Sequence, residues 1–550
     1  MDKQRSDVSL RGHRKNYAHW GVLFGLLTGC AQASPRPQSA AETADAHRHG
    51  NLESLLAYID SAWTTLSRDL DDLPEAAVDP KFHEQTKWPI YVSRQENIGS
   101  IKPRLERLLQ RRGAQDVYIA VLPIDTRQVA PPGLLYLPHP YVVPGGRFNE
   151  MYGWDSYFIV TGLLQTRSRQ HHALAKHMTD NALYQVQHFG KVLNANRSYF
   201  LERSQPPLLS RMVREVFDKR PDAQWLREAI PLLERFYAYW LKPPRLTPGT
   251  GLSRYYAGGQ GPAPEVLADE VDAQGRSHYD RVHHEFQTSD VKGYAAGRFY
   301  NAKLNQLTPL FYVADRTMRE SGFDPSNRFG AFNIGIIDYN PVCLNTLLYV
   351  MEQDIAWAYQ TVGDNDAAKP WLERAERRKQ QMQRVLWDEA RGLFLDYNFS
   401  TQTRRDYPFL TAFWPMWAGI ATKAQAERLV ANLKLFQAPG GLMTSNKRTG
   451  NQWDAPYGWG NLHQLVVLGL RRYGYHRHAT DIANRFIALV LKEFEEHGAI
   501  FEKYDVVARE SSVAAGIRYG YSANQVGFGW TNAAVLVLEA SSRGVPPLRQ

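Results

Sequence analysis

Residues 344–359, LNTLLYVMEQDIAWAY, decide the fold class of this chain. Their apolar positions recur every three or four residues, which puts them on one face of a helix; these are Leu344, Leu347, Leu348, Met351, Ile355 and Tyr359. Three further stripes share this spacing: Leu174, Met178, Ala182 and Val186; Leu226, Ile230, Leu233, Tyr237 and Trp240; and Ile482, Phe486, Leu489, Val490 and Phe494, the last behind a Thr480-Asp481 start signal. The extended candidates, residues 117–121 and 499–501, are short. The core is therefore predicted to be all-α, with long loops between helices.

Length and composition exclude several classes of protein. The 550 residues are 43% hydrophobic and 12% aromatic, which is enough for a large buried core and excludes disorder. Only two cysteines are present, so a disulfide scaffold and a cysteine-based zinc module are excluded. The net charge of +9 is spread over 65 basic and 56 acidic residues, so the sequence predicts no nucleic-acid binding.

The N-terminus has the pattern of a secretory signal. A basic start is followed by an apolar run at residues 20–27, which is too short to span a membrane, and then by Leu27-Thr28-Gly29-Cys30. This ending resembles the lipobox of bacterial lipoproteins, in which the cysteine is lipidated; the alternative is an ordinary signal peptide with a chance cysteine. Ala31, rather than an aspartate, favours the outer membrane. The prediction is a periplasmic protein that contacts the membrane only through a lipid on Cys30.

The remaining domain boundaries follow from composition. We predict a signal with lipobox at residues 1–29, a flexible Pro-, Ser- and Ala-rich tether at 30–50, a catalytic domain at 51–541 and a tail at 542–550.

Six loop segments share an unusual composition. They combine aromatic residues, carboxylates, arginines and glycines: PGGRFNEMYGWDSY (144–157), NANRSYFLERSQPP (194–207), ESGFDPSNRF (320–329), NQWDAPYGWGN (451–461), FEKYD (501–505) and GFGWTN (527–532). Aromatic faces stack on the apolar face of a sugar, while carboxylate, amide and guanidinium groups bond its hydroxyls. The segments predict a carbohydrate pocket; the alternative is that they only cap and join helix ends.

These segments also carry a family resemblance. Residues 144–157 resemble the first signature of the trehalases, glycoside hydrolase family 37, and Gln452-Trp453-Asp454-Ala455-Pro456-Tyr457-Gly458-Trp459 resembles the second. The other segments resemble further family blocks in the same order. The resemblance implies an (α/α)6 barrel and an inverting hydrolase of α,α-trehalose. It implies no metal and no organic cofactor, and we expect a monomer.

The resemblance assigns the two catalytic carboxyl groups. Asp324 matches the general acid and Glu502 matches the general base. Inverting hydrolysis needs such a pair about 6.5–9.5 Å apart, with the acid at the leaving oxygen and the base at a water on the opposite face. Alternatives remain for each: Asp324 as a helix N-cap, and Glu502 as a surface partner of Lys503 or Arg509, with Glu510 as the base.

The resemblance also implies a set of substrate-binding residues. These are Arg147, Phe148, Trp154, Asp155, Asn194, Arg203, Ser204, Gln205, Glu265, Gly322 and Trp453. Phe148 and Trp453 are expected to stack on sugar rings, and the arginines are expected to bond hydroxyls. The alternative for each arginine is an ion pair with a structural carboxylate.

One departure from the family pattern bears on the substrate. The usual Arg-Pro-Glu is Ala263-Pro264-Glu265 here, so a sugar-binding arginine is missing. We expect Arg254, Arg276 or Arg281 to replace it. The alternatives are a glycosidase for another α-glucoside and a sugar-binding lipoprotein; retention of both Asp324 and Glu502 argues against the second.

Overall fold

The apolar stripes predicted from the sequence lie on helices in the computed structural model. Residues 344–359 fall within the helix Val342–Thr361, and the stripe that starts at Leu226 falls within Ala223–Leu241, which Asp222 caps through the backbone N–H groups of Gln224 and Trp225. All five apolar residues of that second stripe are buried. The structure describes residues 40–127, 129–269, 271–272, 274–513 and 523–544. The signal and lipobox prediction, including Cys30, lies outside the described residues.

Seventeen α-helices occur in the described part of the chain. They are α1 (Ala40–Leu66), α2 (Leu73–Ala77), α3 (Ile98–Arg112), α4 (Gly153–Gln165), α5 (Arg169–Phe189), α6 (Leu209–Lys219), α7 (Ala223–Leu241), α8 (Pro264–Asp269), α9 (His278–Thr288), α10 (Pro309–Glu320), α11 (Val342–Thr361), α12 (Asn365–Val385), α13 (Trp414–Trp417), α14 (Lys423–Ala431), α15 (Gly460–Arg472), α16 (His476–His497) and α17 (Gly529–Ser542).

The strands are short. They are β1 (Ser67–Arg68), β2 (Trp88–Val92), β3 (Val117–Val121), β4 (Leu134–Leu135), β5 (Tyr141–Val142), β6 (Leu246–Thr247), β7 (Leu252–Ser253), β8 (Tyr300–Asn301), β9 (Gln306–Leu307), β10 (Tyr339–Asn340), β11 (Trp387–Asp388), β12 (Leu393–Phe394), β13 (Tyr397–Asn398), β14 (Thr403–Arg404), β15 (Gln437–Ala438), β16 (Gly441–Leu442), β17 (Tyr457–Trp459) and β18 (Lys503–Asp505). Most pair as two-stranded antiparallel ribbons between helices.

Six helices contact one another in a closed ring. Helix α4 packs on α6, α6 on α11, α11 on α13, α13 on α15, α15 on α17, and α17 returns to α4. Helices α4, α11, α15 and α17 are buried along most of their length, whereas α5, α7, α12 and α16 bury one face against the ring. Short helix-to-helix connections place sequential helices side by side, as expected for antiparallel pairs.

The all-α prediction needs a correction near the N-terminus. Strands β3, β2 and β4 form a parallel sheet that packs with α2 and α3 around its own apolar cluster. The sequence Trp88–Val92 is buried on both faces, so it lacks the alternation by which a half-exposed strand is recognised. The predicted strand at 117–121 matches β3, whereas residues 499–501 form no strand.

Two helices begin earlier than the sequence pattern indicates. Helix α16 begins at His476 rather than near Thr480, because Gly474, at φ +82°, reverses the chain directly after α15. Helix α1 begins at Ala40, inside the predicted tether, where four alanines and a glutamate between residues 40 and 46 favour helix. The chain divides into two compact units, and the larger one is Asn51–Gln550. Among the described helices, none is long and apolar enough to cross a membrane.

Candidate active site

A pocket of about 770 Å³, a volume that includes the space open to solvent, lies where the loops that precede several of the ring helices converge. Twelve of the thirteen residues predicted from the sequence line it: Arg147, Phe148, Trp154, Asp155, Asn194, Arg203, Gln205, Glu265, Gly322, Asp324, Trp453 and Glu502. Ser204 is the exception. Its hydroxyl donates to the Val192 carbonyl at 2.6 Å, so it holds the loop together behind the pocket wall. The loops therefore meet as the carbohydrate-pocket prediction requires.

Asp324 lies in an irregular loop after α10, not at a helix start, so the N-cap alternative is wrong. The loop is held from several sides. The Gln452 side chain donates to the Asp324 carbonyl, and the Asn327 N–H donates to Asp454 Oδ2 at 2.9 Å. Arg328 binds Asp396 through two hydrogen bonds of 2.7 and 2.6 Å. The carboxyl group of Asp324 itself is about one-third exposed (36%), which leaves it accessible to a ligand in the pocket.

Glu502 is buried beside a lysine. Its Oε2 lies 2.8 Å from Lys503 Nζ, and both side chains are almost fully inaccessible, so this is an interior ion pair and not the surface pair considered above. The backbone of Glu502 is fixed as well, because its N–H donates to the Gln525 carbonyl and its carbonyl accepts from Trp530 Nε1. Glu510, the alternative base, is exposed and does not line the pocket.

Asp155 is one of four carboxyl groups that line the pocket, together with Glu265, Asp324 and Glu502. It occupies the first turn of α4, where the helix N-terminus favours negative charge. Burial raises the pKa of Asp155 well above its ordinary value, and the charges of Glu502 and Asp324 raise it further. Asp155 is therefore close enough to Glu502 and to Asp324 for the charges of both to act on it.

The aromatic wall is a packed cluster around Trp154. Trp453 stacks face to face on Trp459 with ring centroids 3.7 Å apart, and it lies 5.9 Å from Trp154. Trp530 completes the cluster. A glycine is required at position 322, because φ is +76° there and a Cβ would lie 2.8 Å from Trp154 Cζ2. Backbone and indole ring are thus in direct contact at the pocket wall.

Three arginines line the pocket: Arg147, Arg203 and Arg319. Arg203 pairs with Glu265 at 2.8 Å; because Glu265 also lines the pocket, this ion pair belongs to the candidate site. Arg319 is held by Asp315, with 3.2 Å between Nε and Oδ2, and its Nη1 lies 4.0 Å from Asp324 Oδ2. Sequence reasoning missed Arg319, which directly precedes one of the quoted segments.

The expected substitutes for the missing arginine are not in the pocket. Ala263 is buried, and its N–H donates to the Tyr279 hydroxyl. Arg254 donates to the carbonyls of Pro244 and Ile337, and Arg276 pairs with Asp272 near the surface. Neither of these, nor Arg281, is among the described residues that line the pocket, so that expectation is wrong.

Other lining residues were also missed. Pro144, Tyr152, Gln452, Phe528 and Trp530 lie inside the quoted segments, and so does Phe200; the segment pattern was their signal. Lys81 had no such signal. It is buried and pairs with Asp79 and Glu150, each at 3.0 Å.

Comparisons with known proteins agree on one family. The sequence profile of the family described as Trehalase matches residues 28–540. The cytosolic neutral trehalase of Emericella nidulans is 34% identical over 544 residues, which cover 86% of this chain and 70% of that protein. The cytosolic neutral trehalase of Saccharomyces cerevisiae is 36% identical over 435 residues, or 72% of this chain and 56% of that protein. The solved structure of neutral trehalase Nth1 from Saccharomyces cerevisiae superposes with a TM-score of 0.74 at 31% identity, covering 90% of this chain and 96% of that one.

Proposed function

The chain belongs to the trehalase family, and from this membership we propose that Asp324 and Glu502 are the general acid and the general base with which it hydrolyses α,α-trehalose. The enzyme is a glycoside hydrolase that converts trehalose to glucose. The observation that supports the two assignments is that both carboxyl groups line one pocket and that the charges of both act on Asp155. The ring of six contacting helices supports an (α/α)6 barrel as the scaffold.

The environments of the two groups fit different roles. A base must be ionised, and the Lys503 ammonium 2.8 Å from Glu502 stabilises a negative charge there. An acid must reach the leaving oxygen, and Asp324 is the more accessible of the two carboxyl groups. Asp324 protonates the glycosidic oxygen while Glu502 takes a proton from the attacking water, and charge develops on the sugar as an oxocarbenium-like transition state.

The remaining lining residues bind the disaccharide. Trp453, supported from behind by Trp459, and Phe148 present aromatic surface to the sugar rings. Arg147, Arg203 and Arg319 offer guanidinium donors to hydroxyl groups. Arg319 takes the place of the arginine that the family pattern has at position 263, since it lies beside the acid and is oriented by Asp315.

Location and assembly are proposed from the sequence. The basic start, the apolar run and Leu27-Thr28-Gly29-Cys30 support export, lipidation of Cys30 and anchoring to the outer membrane on the periplasmic side. The protein is proposed to act as a monomer.

The stereochemistry of the products tests the mechanism. Inversion at one anomeric carbon of α,α-trehalose must release one α-glucose and one β-glucose, which proton NMR resolves before mutarotation. Asp324→Asn and Glu502→Gln keep shape and remove the proton-transfer groups, so each is expected to lower kcat by about 10²–10⁴-fold or more. Release of two α-glucose molecules would contradict inversion, and a variant with wild-type kcat would contradict its assignment. A panel of other α-linked disaccharides measures how far trehalose is preferred.

A further inference from the structure

Lys503 is a buried cation to which the family resemblance gives no role, and its contact with Glu502 has consequences beyond the charge it supplies. It opens β18, which pairs antiparallel with β17, and the register places it opposite Trp459. Directly opposite residues of a strand pair present their side chains on the same face. Lys503 Nζ accordingly lies 5.2 Å from the centre of the Trp459 ring and 2.8 Å from Glu502 Oε2.

Burying the charge of this lysine costs free energy. Its side chain is 0% exposed, and burial lowers the pKa of Lys503, although the Glu502 charge opposes that effect. Interior ion pairs are weak contributors to stability, because desolvation offsets most of the attraction, and apolar residues of similar volume often replace them without loss. A role in the reaction accounts better for a cation at this position.

The same lysine is linked to the pocket wall and to the acid. Trp459, beneath the ammonium, stacks on Trp453 and donates its Nε1 to the Gln452 carbonyl at 3.0 Å. The Gln452 side chain in turn donates to the backbone of Asp324. The position of Lys503 is therefore determined by the elements that position both the sugar-stacking ring and the catalytic pair.

We propose that Lys503 is a positioning residue for Glu502: its ammonium fixes the plane of the carboxylate and supplies a positive charge beside it, in a pocket that holds three other carboxyl groups. This inference rests on the proposed role of Glu502 as the base. The charge of Glu502 acts on Lys503 and on Asp155 from α4, and Arg147 also acts on Lys503. Asp324, from the loop after α10, lines the same pocket with Arg319 beside it, and so does Glu265. Among these groups, Lys503 is in direct contact with the Glu502 carboxylate.

The pH profile distinguishes this role from a structural one. A base works when ionised, so kcat/KM rises with pH along its acidic limb. A cation within about 4–6 Å of a carboxyl shifts its titration by about 1–3 pH units. In Lys503→Met the acidic limb is therefore expected to move up by about one pH unit or more, and kcat at pH about 5 is expected to fall at least about tenfold. KM is expected to change by less than about threefold, because the sugar contacts remain. Lys503→Arg keeps the cation and is expected to restore the limb.

The experiment uses the full chain and measures kcat and KM for trehalose from about pH 4 to about pH 9, with thermal unfolding of each variant as a control for folding. Lys503→Gln serves if Lys503→Met does not fold. A wild-type acidic limb in a folded neutral variant would overturn the proposal, as would failure of both neutral variants to fold, since Lys503 would then be structural. Glu502→Gln distinguishes failure of the base assignment from failure of the Lys503 proposal. If Glu502→Gln is active, the assignment of Glu502 as the base is wrong. If Glu502→Gln is inactive while Lys503→Met keeps the acidic limb of the wild-type pH profile, only the role of Lys503 is wrong.

Discussion

Replacing Gly322 by alanine adds one methyl group to the pocket wall, and the structure gives the size of the disturbance. The new Cβ would lie 2.8 Å from Trp154 Cζ2, whereas ordinary contacts begin at 3.4 Å, so the indole or the loop must move by about 0.6 Å. Trp154 cannot yield easily, because the rings of Phe158, Phe323 and Trp453 pack on it at 5.4 to 6.0 Å. Asp324 is two residues from the altered position, so we expect the displacement to reach the acid.

Two costs add for Gly322→Ala. Placing an alanine at positive φ costs about 1–2 kcal/mol, and overpacking a tight core costs about 1–3 kcal/mol more. Gly474→Ala is the matched control: its φ is +82°, similar to +76° at Gly322, but its Cβ would meet nothing within 4 Å. The control is therefore expected to lose only the backbone cost, about 1–2 kcal/mol of unfolding free energy. The difference between the two variants isolates the contact with Trp154.

The activity assay follows glucose released from trehalose, and urea unfolding gives the stabilities. A misplacement of about 1 Å at a reacting group costs about 10²-fold in rate, so kcat/KM of Gly322→Ala is expected to fall by about one to two orders of magnitude. Gly474→Ala is expected to stay within about twofold of wild type, because the turn before α16 does not line the pocket. The reasoning is refuted if both variants lose the same unfolding free energy and Gly322→Ala retains wild-type kcat/KM.

Three other changes test separate parts of the account. Arg319→Lys keeps a positive charge beside Asp315 but loses the planar guanidinium group with its paired donors. A charge-assisted hydrogen bond is worth about 1.5–3 kcal/mol, so kcat/KM is expected to fall about 10- to 100-fold. The control is Arg254→Lys, which lies outside the pocket lining and is expected to have no comparable effect. Equal losses in the two variants would contradict the role of Arg319. Burial raises the pKa of Glu215 from 4.5 to about 7. Between these two pH values the folded protein therefore holds a proton that the unfolded chain releases. The free energy of unfolding is expected to fall as the pH rises through this range. Chemical unfolding should therefore show wild type losing up to about 3 kcal/mol relative to Glu215→Gln over this window, and parallel pH profiles would disprove it. Cys30→Ala should abolish fatty-acid labelling of the chain in cells, and a labelled variant would exclude the lipobox.

Helix periodicity was predictable because the ring helices and their outer partners bury continuous apolar faces. The stripe from Leu226 to Trp240 maps onto α7, and the stripe from Leu344 maps onto α11. The parallel sheet was not predictable in the same way, since Trp88–Val92 is buried on both sides and short apolar runs look alike in helix and strand. The start of α16 depended on the conformation of Gly474, and a residue's φ is set by its tertiary context.

The candidate site was predictable where its residues cluster in the sequence. Trp154 and Asp155 follow Arg147 closely and share the first turn of α4, so one segment places them together. Arg319 and Lys81 had no such neighbours. Arg319 is in the last turn of α10. Lys81 lines the pocket, and ion pairs with Asp79 and Glu150 hold its side chain there. Charged residues of this kind are common on protein surfaces, and only the packing of distant segments shows that they are buried in the pocket.

Asp324 and Glu502, the proposed acid and base, are far apart in sequence, and the segment that carries Trp453 connects them. Asp454, directly after Trp453, accepts hydrogen bonds from the hydroxyl groups of Tyr407, Ser445 and Thr449 at 2.7, 2.9 and 2.6 Å. It also accepts a hydrogen bond from the backbone N–H of Asn327, which lies in the loop that carries Asp324. Burial raises the pKa of Asp454 to about 6, and these donors oppose that rise by stabilising the carboxylate. The loop then continues into β17, which pairs with the strand that follows Glu502. Because one continuous segment bonds the loop of Asp324 at one end and the strand that follows Glu502 at the other, a shift of either carboxyl group requires this segment to move.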